Sequence, residues 1–552
     1  MVIDMARLVP SWQLALVSTI ALVLLCSAAN GAERAITGEK TAFRRNVRTD
    51  DATLNRVLDR IYSDCFADRL RDPVPPCLPF KYFSPGGGYP ECQTMWDTMF
   101  VANFYAPWGD QEVLKGLFEA FYRAVDTNPD APVGSYQYGM VPISLYAKHE
   151  SAFRHFPMSQ IPILAWGCLM VYHQTGDRAF LEHSLPYLIA FDHWYSTERD
   201  VDGDGLIEYG TYRWDEMCKA AGVDVVQNAR YETFDWHSTL DHMKLTKHPK
   251  RPDSGEWYGN VEGVEQTCFL MMSERAIAEA ARELGQAELS ARYEKIADSR
   301  AKAVQKKMWN PKTRFFHSLD RDTDEQLPDR TIQAFLTLSA GAATREQAAA
   351  LVEHLRDPKK FWCAYPVPTQ AMDDPKYSPA GVWRGDVWPA TNYLVAYGLN
   401  RYGYHDVARE VTRRTVELIT REENARVNER YNGVTGAPTG GPCLQMSCVI
   451  GLMMIQDIVG VQSDFRTIVV PPQATGRKLT WGKLELSYPR NNEVELRTMF
   501  ARRFRVVLPP AAGKASVSVR CGAVALPPAE ITREASAVQF AADAGKTYRV
   551  TW

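Results

Sequence analysis

The clearest fold signal in this chain lies in the stretch Cys268-Phe-Leu-Met-Met-Ser-Glu-Arg-Ala-Ile-Ala-Glu-Ala-Ala-Arg-Glu-Leu-Gly285. The glycine that closes it is a typical helix stop. Residues 289–308 have the pattern of a second helix. Together the two segments predict a helical hairpin. In the first segment, small or apolar side chains recur at steps of four, at Cys268, Met272, Ala276, Ala280 and Leu284.

Comparable helical runs recur from about Ala52 to Val461, separated by loops rich in glycine, proline and aromatic residues. So many helices, with long loops at one end, predict a mainly α fold in which helical hairpins form a closed ring around a funnel. No Gly/Ser linker interrupts this span, so we expect one domain over residues 33–465. The runs are Gln111 to Val125, Ser159 to Thr175, Phe180 to Arg199, Arg330 to Ala340, Arg345 to Leu355, Thr391 to Tyr402, Ala408 to Thr420 and Met446 to Val459.

After about Phe465 the apolar pattern changes to a period of two, which is typical of half-buried strands. Turn residues such as Asn491-Asn492 and Ala512-Gly513 separate the runs. Residues 466–552 are therefore predicted to form a small antiparallel, β-sandwich-like accessory domain. The alternating residues are Leu484, Leu486, Tyr488, Val494, Leu496, Phe504, Val506, Leu508, Val517 and Val519.

The N-terminal residues predict a secretory signal over residues 1–32. Arg7 precedes an apolar run from Leu14 to Cys26, and small residues follow it through Ala32. A membrane anchor is the less favoured interpretation, because the run is shorter than the roughly 20 apolar residues that a bilayer needs. Lipid attachment at Cys26 is disfavoured by the large side chain of Leu25. We expect a secreted or periplasmic protein.

Composition limits the kinds of partner. The formal net charge is only −3, and long basic runs are lacking, which argues against nucleic acid or an anionic membrane surface. Of the 11 cysteines, only Cys26 lies within the predicted signal. The others are scattered without the CxxC repeats of a zinc module, so we expect one or two disulfide bonds at most. A neutral ligand fits these features best.

The tract Gly381-Val-Trp-Arg-Gly-Asp-Val-Trp-Pro-Ala-Thr-Asn392 has the composition of a sugar pocket. Indole faces of Trp383 and Trp388 can pack on the C–H faces of a pyranose ring. Arg384, Asp386 and Asn392 can hydrogen-bond hydroxyl groups. The alternative is a helix entry in the core, held by two buried tryptophans.

Two earlier loops offer further candidate contacts. Trp96 and Asp97 can hold a ring face and a pair of hydroxyls, although Asp97 also suits a helix cap. Gln160 follows a helix-opening serine. The turn from Asp200 to Glu208 resembles the first part of a calcium loop, but Thr211 stands at the twelfth position, where an EF-hand needs an acid. A simple turn is the favoured interpretation, and no metal site is predicted.

The segment from Tyr231 to Met243 places acids among aromatic residues. Such surroundings disfavour a charged carboxylate, so we expect a raised pKa and a proton donor at Asp235 or Asp241. A zinc site using His237, Asp241 and His242 and a polar capping loop are the alternatives. Farther along, Glu429 lies among hydrogen-bonding and cationic residues and can act as a base for water, or simply form surface ion pairs.

The order of these motifs resembles the catalytic domain of glycoside hydrolase family 63, which is related to trehalases and mannosylglycerate hydrolases. The resemblance extends over residues 90–460. The matching motifs are the Trp-Asp-Thr-x-Phe loop Trp96 to Phe100, the partial Ser-Gln-x-Pro start Ser159 to Pro162, the turn Asp202 to Leu206, the block Tyr365 to Leu394, and Glu429, Tyr431, Thr435 and Gly436.

The resemblance implies an (α/α)6 barrel, a ring of six hairpins, and an inverting hydrolase that needs no cofactor. The general acid of the family falls on Asp241, within Trp236-His-Ser-Thr-Leu-Asp-His-Met243, and the general base falls on Glu429. Inversion requires the two carboxyl groups to lie about 6.5–9.5 Å apart. His237, Thr239 and His242 depart from the family pattern, and Asp235 is the alternative acid.

The resemblance also implies a set of sugar-binding residues and an α-linked glucoside or related glycoside as substrate. An α-L-rhamnosidase, whose fold is similar and often ends in a β domain, and a non-catalytic carbohydrate-binding protein are the alternatives. The implied sugar-binding residues are Trp96, Asp97, Gln160, Trp236, Trp383, Arg384, Trp388, Asn392 and Tyr431.

Overall fold

A computed structural model describes most of the chain after residue 36, and the predicted signal peptide lies outside the described residues. Within them, no helix has both the length and the apolar character needed to cross a membrane. The described ranges are 37–67, 69–75, 78–86, 91–125, 139–146, 159–212, 241–247, 256–421, 424, 426–442, 444–463, 467–472, 478–509 and 517–552.

Helices dominate the part of the chain before residue 460. The hairpin predicted from Cys268 onward is confirmed as α7 and α8, with Gly285 in the left-handed conformation between them. The helices are α1 (Thr37–Asn46), α2 (Ala52–Cys65), α3 (Met95–Tyr105), α4 (Gln111–Tyr122), α5 (Leu164–Thr175), α6 (Arg178–Glu198), α7 (Val264–Glu283), α8 (Ala287–Ala303), α9 (Leu336–Ala340), α10 (Arg345–Leu355), α11 (Pro389–Arg401), α12 (His405–Thr420) and α13 (Val449–Met453).

The helices alternate between two layers. Helices α3, α5, α7 and α11 are buried on nearly every face, which explains why their sequences show little amphipathic contrast. Helices α8 and α12, by contrast, bury one face only. Contacts between the inner helices run in the order α3, α5, α7, α9, α11 and α13, and α13 contacts α3 again. The predicted site residues that the structure describes lie in the loops that precede the inner helices and in the first turns of α3 and α11.

Among the described residues, strands form one five-stranded antiparallel sheet and three two-stranded sheets beside the helices, and two further sheets at the C-terminal end. In the first, β8 pairs with β6, β7 and β11, and β11 pairs with β12. The strands before residue 460 are β1 (Val47–Thr49), β2 (Leu70–Arg71), β3 (Tyr82–Phe83), β4 (Cys92–Thr94), β5 (Ser144–Tyr146), β6 (Glu208–Tyr212), β7 (Leu245–Lys247), β8 (Glu256–Glu262), β9 (Trp309–Asn310), β10 (Phe315–Phe316), β11 (Leu319–Asp320) and β12 (Glu325–Gln326).

The C-terminal region consists of two sheets packed face to face, in the orders β1-β15-β16-β17-β23-β19-β20 and β13-β14-β18-β22-β21. The rings of Phe540 and Tyr548 meet between them at 5.4 Å. The residues predicted from the period of two are buried. The strands are β13 (Gln462–Ser463), β14 (Thr467–Val470), β15 (Lys478–Trp481), β16 (Leu484–Arg490), β17 (Glu493–Thr498), β18 (Arg502–Val507), β19 (Ser518–Cys521), β20 (Val524–Ala525), β21 (Thr532–Arg533), β22 (Ala537–Ala542) and β23 (Thr547–Thr551).

Two features of this region differ from the prediction. Strands β14 and β18 pair in parallel, so the region is not wholly antiparallel. Parallel neighbours need a long connection, and the three strands β15 to β17 of the other sheet supply it. In addition, β1 pairs with β15, which joins the N-terminal segment to the C-terminal sheets. The seven cysteines in the described ranges form no disulfide bond with one another, and Cys77, Cys218 and Cys443 lie outside those ranges.

We predict that Gly482→Ala destabilises the protein more than Gly522→Ala. Both glycines have φ of 57° in a hairpin turn, so the backbone strain of an alanine is matched. A Cβ at Gly482 would lie 2.7 Å from the carbonyl oxygen of Pro107, whereas a Cβ at Gly522 meets nothing within 4 Å. Thermal unfolding of the two variants measures the contact between the β15–β16 turn and the helical region. Equal losses would contradict the prediction.

Candidate active site

The two tryptophans of the tract at residues 381–392 stack on each other. The rings of Trp383 and Trp388 lie 4.2 Å apart at an angle of 11°, and both side chains are buried. The guanidinium of Arg430 lies over the Trp388 ring at 5.7 Å from its centroid. This packing favours a supporting role for Trp388, the core alternative considered from the sequence, over direct stacking on a sugar.

The Asp386 carboxylate accepts hydrogen bonds that hold the same tract together. Its Oδ1 accepts hydrogen bonds from the Trp383 backbone N–H at 3.0 Å, the Trp388 indole N–H at 2.9 Å and the Thr369 hydroxyl at 3.1 Å. Its Oδ2 accepts from Arg430 at 3.2 Å. Burial raises the pKa of Asp386 to about 6 although these donors act in the opposite direction. At neutral pH the carboxylate is therefore ionised and acts as an acceptor for all four groups.

Arg430 connects this tract to the predicted base. Its Nε lies 3.4 Å from Glu429 Oε2, while its Nη1 contacts Asp386. The backbones of Val387 and Tyr431 exchange two hydrogen bonds of 2.8 and 2.9 Å, so the two loops lie side by side. Glu429 is buried, and its backbone N–H donates to the Gly441 carbonyl. The base candidate is thus held between two loops rather than on the surface.

Asp97 is the second acid beside Glu429. It accepts a hydrogen bond from the Thr94 hydroxyl at 2.5 Å, and its Oδ1 is buried with no hydrogen-bond partner among the described residues. Burial raises its pKa to about 6, and the nearby charge of Glu429 adds to the increase. The Trp96 backbone N–H donates to the Gln160 side chain at 3.1 Å, which brings the first two predicted loops together. A free carboxylate oxygen in this position can accept a hydrogen bond from a sugar hydroxyl.

Asp241 does not have the raised pKa expected of it. Arg384 donates two hydrogen bonds to its carboxylate, at 2.7 and 2.8 Å, and Lys376 Nζ lies 2.8 Å away. Burial alone would raise the pKa of Asp241, but Arg384 and Lys376 lower it to about 2. The expectation was wrong because these two cations, distant in sequence, surround the carboxylate in place of an apolar environment.

The zinc alternative requires His237, which lies outside the described residues, while Asp241 and His242 each have a charged neighbour. His242 Nε2 lies 2.6 Å from Asp329 Oδ2, and Lys376 Nζ lies 3.6 Å from Asp329 Oδ1. His242 is therefore paired with a carboxylate here. The remaining residues of this segment, including Trp236, His237 and the alternative acid Asp235, lie outside the described residues.

Three residues predicted to contact the sugar make contacts with other residues of the protein. Asn392 is buried, donates to the Pro366 carbonyl and to Thr415, and accepts from the Val367 backbone. The Tyr431 hydroxyl accepts from the Asn428 backbone at 2.8 Å. Trp96 packs edge to face on Phe100 and Phe269. The arrangement favours positioning roles for these side chains.

The site also contains Thr369, Lys376 and Arg430, which were not predicted from the sequence. Thr369 and Lys376 lie inside the recognised block Tyr365 to Leu394, but the linear sequence carries no sign of the carboxylates they contact. The only sign of Arg430 in the sequence was its position next to the predicted base, Glu429. Its contact with Asp386 depends on how two loops pack.

Comparison with known proteins finds similarity over most of the helical region. The family model of the mannosylglycerate hydrolase MGH1-like glycoside hydrolase domain matches residues 89–445. Mannosylglycerate hydrolase MGH1 of Selaginella moellendorffii is 24% identical over 361 residues, covering 57% of this chain and 72% of the relative. Periplasmic trehalase of Salmonella paratyphi C is 23% identical over 411 residues, covering 66% of this chain and 64% of the relative.

Solved structures show similarity in fold. A GH63 mannosylglycerate hydrolase from Thermus thermophilus, in complex with glucose, aligns with a TM-score of 0.54 and 18% identity, covering 72% of this chain and 98% of that one. An α-L-rhamnosidase from Dictyoglumus thermophilum aligns with a TM-score of 0.52 and 11% identity, covering 92% and 50%. At these identities the similarity concerns the fold alone.

We predict that Asp386→Asn lowers the free energy of unfolding by about 2–4 kcal/mol at neutral pH, because the amide N–H₂ would face the guanidinium of Arg430 or the three other donors. Thr369→Val is the control, since it removes one hydrogen bond to the same carboxylate and the hydrogen bond that the Thr369 hydroxyl accepts from the Gly385 N–H, at a total cost of about 1–2 kcal/mol. Urea unfolding followed by fluorescence measures both. A loss in Asp386→Asn no larger than in the control would contradict this assignment.

Proposed function

The chain belongs to the mannosylglycerate hydrolase MGH1-like glycoside hydrolase family, and from this membership we propose that it cleaves an α-linked glucoside or mannoside with inversion at the anomeric carbon. It is a glycoside hydrolase of the GH63 type. We further propose that the cyclic contacts of the inner helices belong to an (α/α)6 barrel, and that residues 1–32 are removed on export.

The observation that carries the mechanism is the position of Glu429. This buried glutamate lies near Asp97, whose Oδ1 has no hydrogen-bond partner among the described residues, and its Oε2 lies 3.4 Å from Arg430 Nε. Arg430 stabilises the ionised form of a carboxylate, as a general base requires, and is itself held by Asp386. Glu429 then accepts a proton from the water that attacks the anomeric carbon. Asp97 accepts a hydrogen bond from a hydroxyl of the same sugar.

The general acid must carry a proton before the glycosidic bond breaks. The ion pairs with Arg384 and Lys376 keep Asp241 ionised, so its carboxylate can hold those two cations in position. We therefore propose Asp235, the alternative acid in the same segment, as the general acid in place of Asp241. The acid protonates the glycosidic oxygen from the face opposite the water, and the two carboxyl groups must lie about 6.5–9.5 Å apart.

An α-L-rhamnosidase is the second candidate. The two-sheet β region that follows the helices supports it, because α-L-rhamnosidases of similar fold often end in a β domain. The motif order and the family match support the first candidate instead, since they include the segments around Trp96, Trp383 and Glu429.

We predict that Glu429→Gln lowers kcat by about 10²–10⁴-fold, because the attacking water loses its base. Glu417→Gln is the matched control, since Glu417 is an exposed partner of Arg413 on α12 and its loss should leave kcat unchanged. Steady-state kinetics on the best glycoside found for the wild type measures both. A variant at Glu429 that retains wild-type kcat would remove Glu429 from the mechanism.

The general acid can be identified by how the activity of each variant depends on the leaving group of the substrate. We predict that Asp235→Asn is strongly impaired on an alkyl glycoside but much less on a dinitrophenyl glycoside, whose leaving group needs no proton. Asp241→Asn should show the same ratio of activities on the two substrates as the wild type. If Asp241→Asn alone gains this dependence on the leaving group, the acid is Asp241.

Substrate and stereochemistry are tested together. We expect glycosylglycerates or trehalose to be cleaved in preference to aryl rhamnosides, and NMR to show first the anomer opposite to that of the substrate. Hydrolysis of aryl rhamnosides alone would establish the second candidate. Initial release of the substrate's own anomer would rule out inversion.

A further inference from the structure

The turn between α6 and β6 groups three carboxylates. Oxygen atoms of Asp200, Asp202 and Asp204 lie within 4.8 Å of one another. The acids occupy the first, third and fifth positions of a calcium loop, and Glu208 occupies the ninth. The sequence lacks the acid that such a loop needs at its twelfth position, where Thr211 stands.

The neighbouring strand supplies the missing acid. Strands β6 and β8 pair antiparallel, and their register places Glu262 directly opposite Glu208. Oxygen atoms of Asp202, Glu208 and Glu262 also lie within 4.8 Å of one another. Asp202 belongs to both groups, so the five carboxylates form one cluster around the start of β6.

Two of these carboxylates are fully buried, and of their four oxygens only Glu208 Oε2 has a hydrogen-bond donor among the described residues, the Val201 backbone N–H at 3.1 Å. Glu208 and Glu262 are each 0% exposed. Both oxygens of Glu262 and Oε1 of Glu208 have no hydrogen-bond partner within the described part of the chain. An unpaired carboxylate in such a place is costly, unless a cation compensates it.

The cations nearby are shared with other acids. Lys307 contacts Asp204 but also lies 2.9 Å from Asp324. Arg321 lies 3.9 Å from Glu208 Oε1 and 2.9 Å from Asp322. Arg300 donates to the Gly205 carbonyl and pairs with Glu274 at 2.9 Å. None of the three contacts Glu262 within salt-bridge distance among the described residues.

We propose that Asp200, Asp202, Asp204, Glu208 and Glu262 bind one Ca²⁺ ion, with Glu262 in the role of the missing twelfth ligand. A set of carboxylate oxygens with this loop spacing suits Ca²⁺, which accepts six to eight oxygen ligands in flexible geometry, better than Mg²⁺ or Zn²⁺. The ion joins the turn after α6 to β8. Because β7 also pairs with β8 and follows Asp241 closely, the ion supports the sheet next to the candidate active site.

The test measures Ca²⁺ binding and thermal unfolding of the full chain after dialysis against EGTA. We expect titration calorimetry to show one Ca²⁺ per wild-type chain and the melting temperature to rise by several degrees with Ca²⁺, since the ion binds the folded state. Glu262→Gln should show neither effect. Without metal, it should melt close to the wild type, because the amide replaces a buried side chain whose oxygens have no hydrogen-bond partner among the described residues.

Glu325→Gln is the matched control, because Glu325 is exposed on β12 of the same sheet and outside the cluster, and it should respond to Ca²⁺ like the wild type. Asp202→Asn, at an exposed position in the turn, provides a second variant that should lose the response. Absence of saturable binding to the wild type would overturn the proposal, as would a full response in Glu262→Gln. An equal thermal shift with Mg²⁺ would overturn the choice of calcium.

Discussion

The buried carboxylate of Asp386 is the interaction on which the arrangement of the candidate active site depends. It receives donors from Trp383 and Trp388 within its own tract, from Thr369 before it, and from Arg430 in the loop of Glu429. A buried charge is stable only when such donors are in place, so the loops must pack together or the carboxylate is left unsatisfied. The requirement couples the stacking of the two indoles to the position of the base.

The layering of the helices explains why such loops can be held rigidly. The inner helices are surrounded by other helices on nearly all sides, and the site loops enter at their N-terminal ends, as Trp388 does at the start of α11. The C-terminal sheets contact the outside of this assembly, where the β15–β16 turn meets Asn46 and Pro107. These sheets support the helical region, whereas the candidate catalytic residues lie in the loops.

Five carboxylates of the described residues illustrate three environments with different consequences. Asp386 and Asp241 are surrounded by donors and cations, and serve to orient them. Asp97 keeps one oxygen without a protein partner among the described residues, next to Glu429, where a substrate hydroxyl can reach it. Glu208 and Glu262 are buried next to one another and other acids, an arrangement that calls for a cation. The environment, and not the residue type, decides the role.

The sequence by itself determined the helical hairpins, the change to strands near residue 465, the motif order that shows the family, and the candidates Asp97 and Glu429. Periodicity and short motifs are local, so they can be recognised along the chain. Tertiary structure alone decided the charge state of Asp241, the stacking that covers Trp388, the parallel pairing of β14 with β18, and the position of Glu262 opposite Glu208. Each of these depends on residues far apart in sequence, because electrostatic and packing interactions act through space.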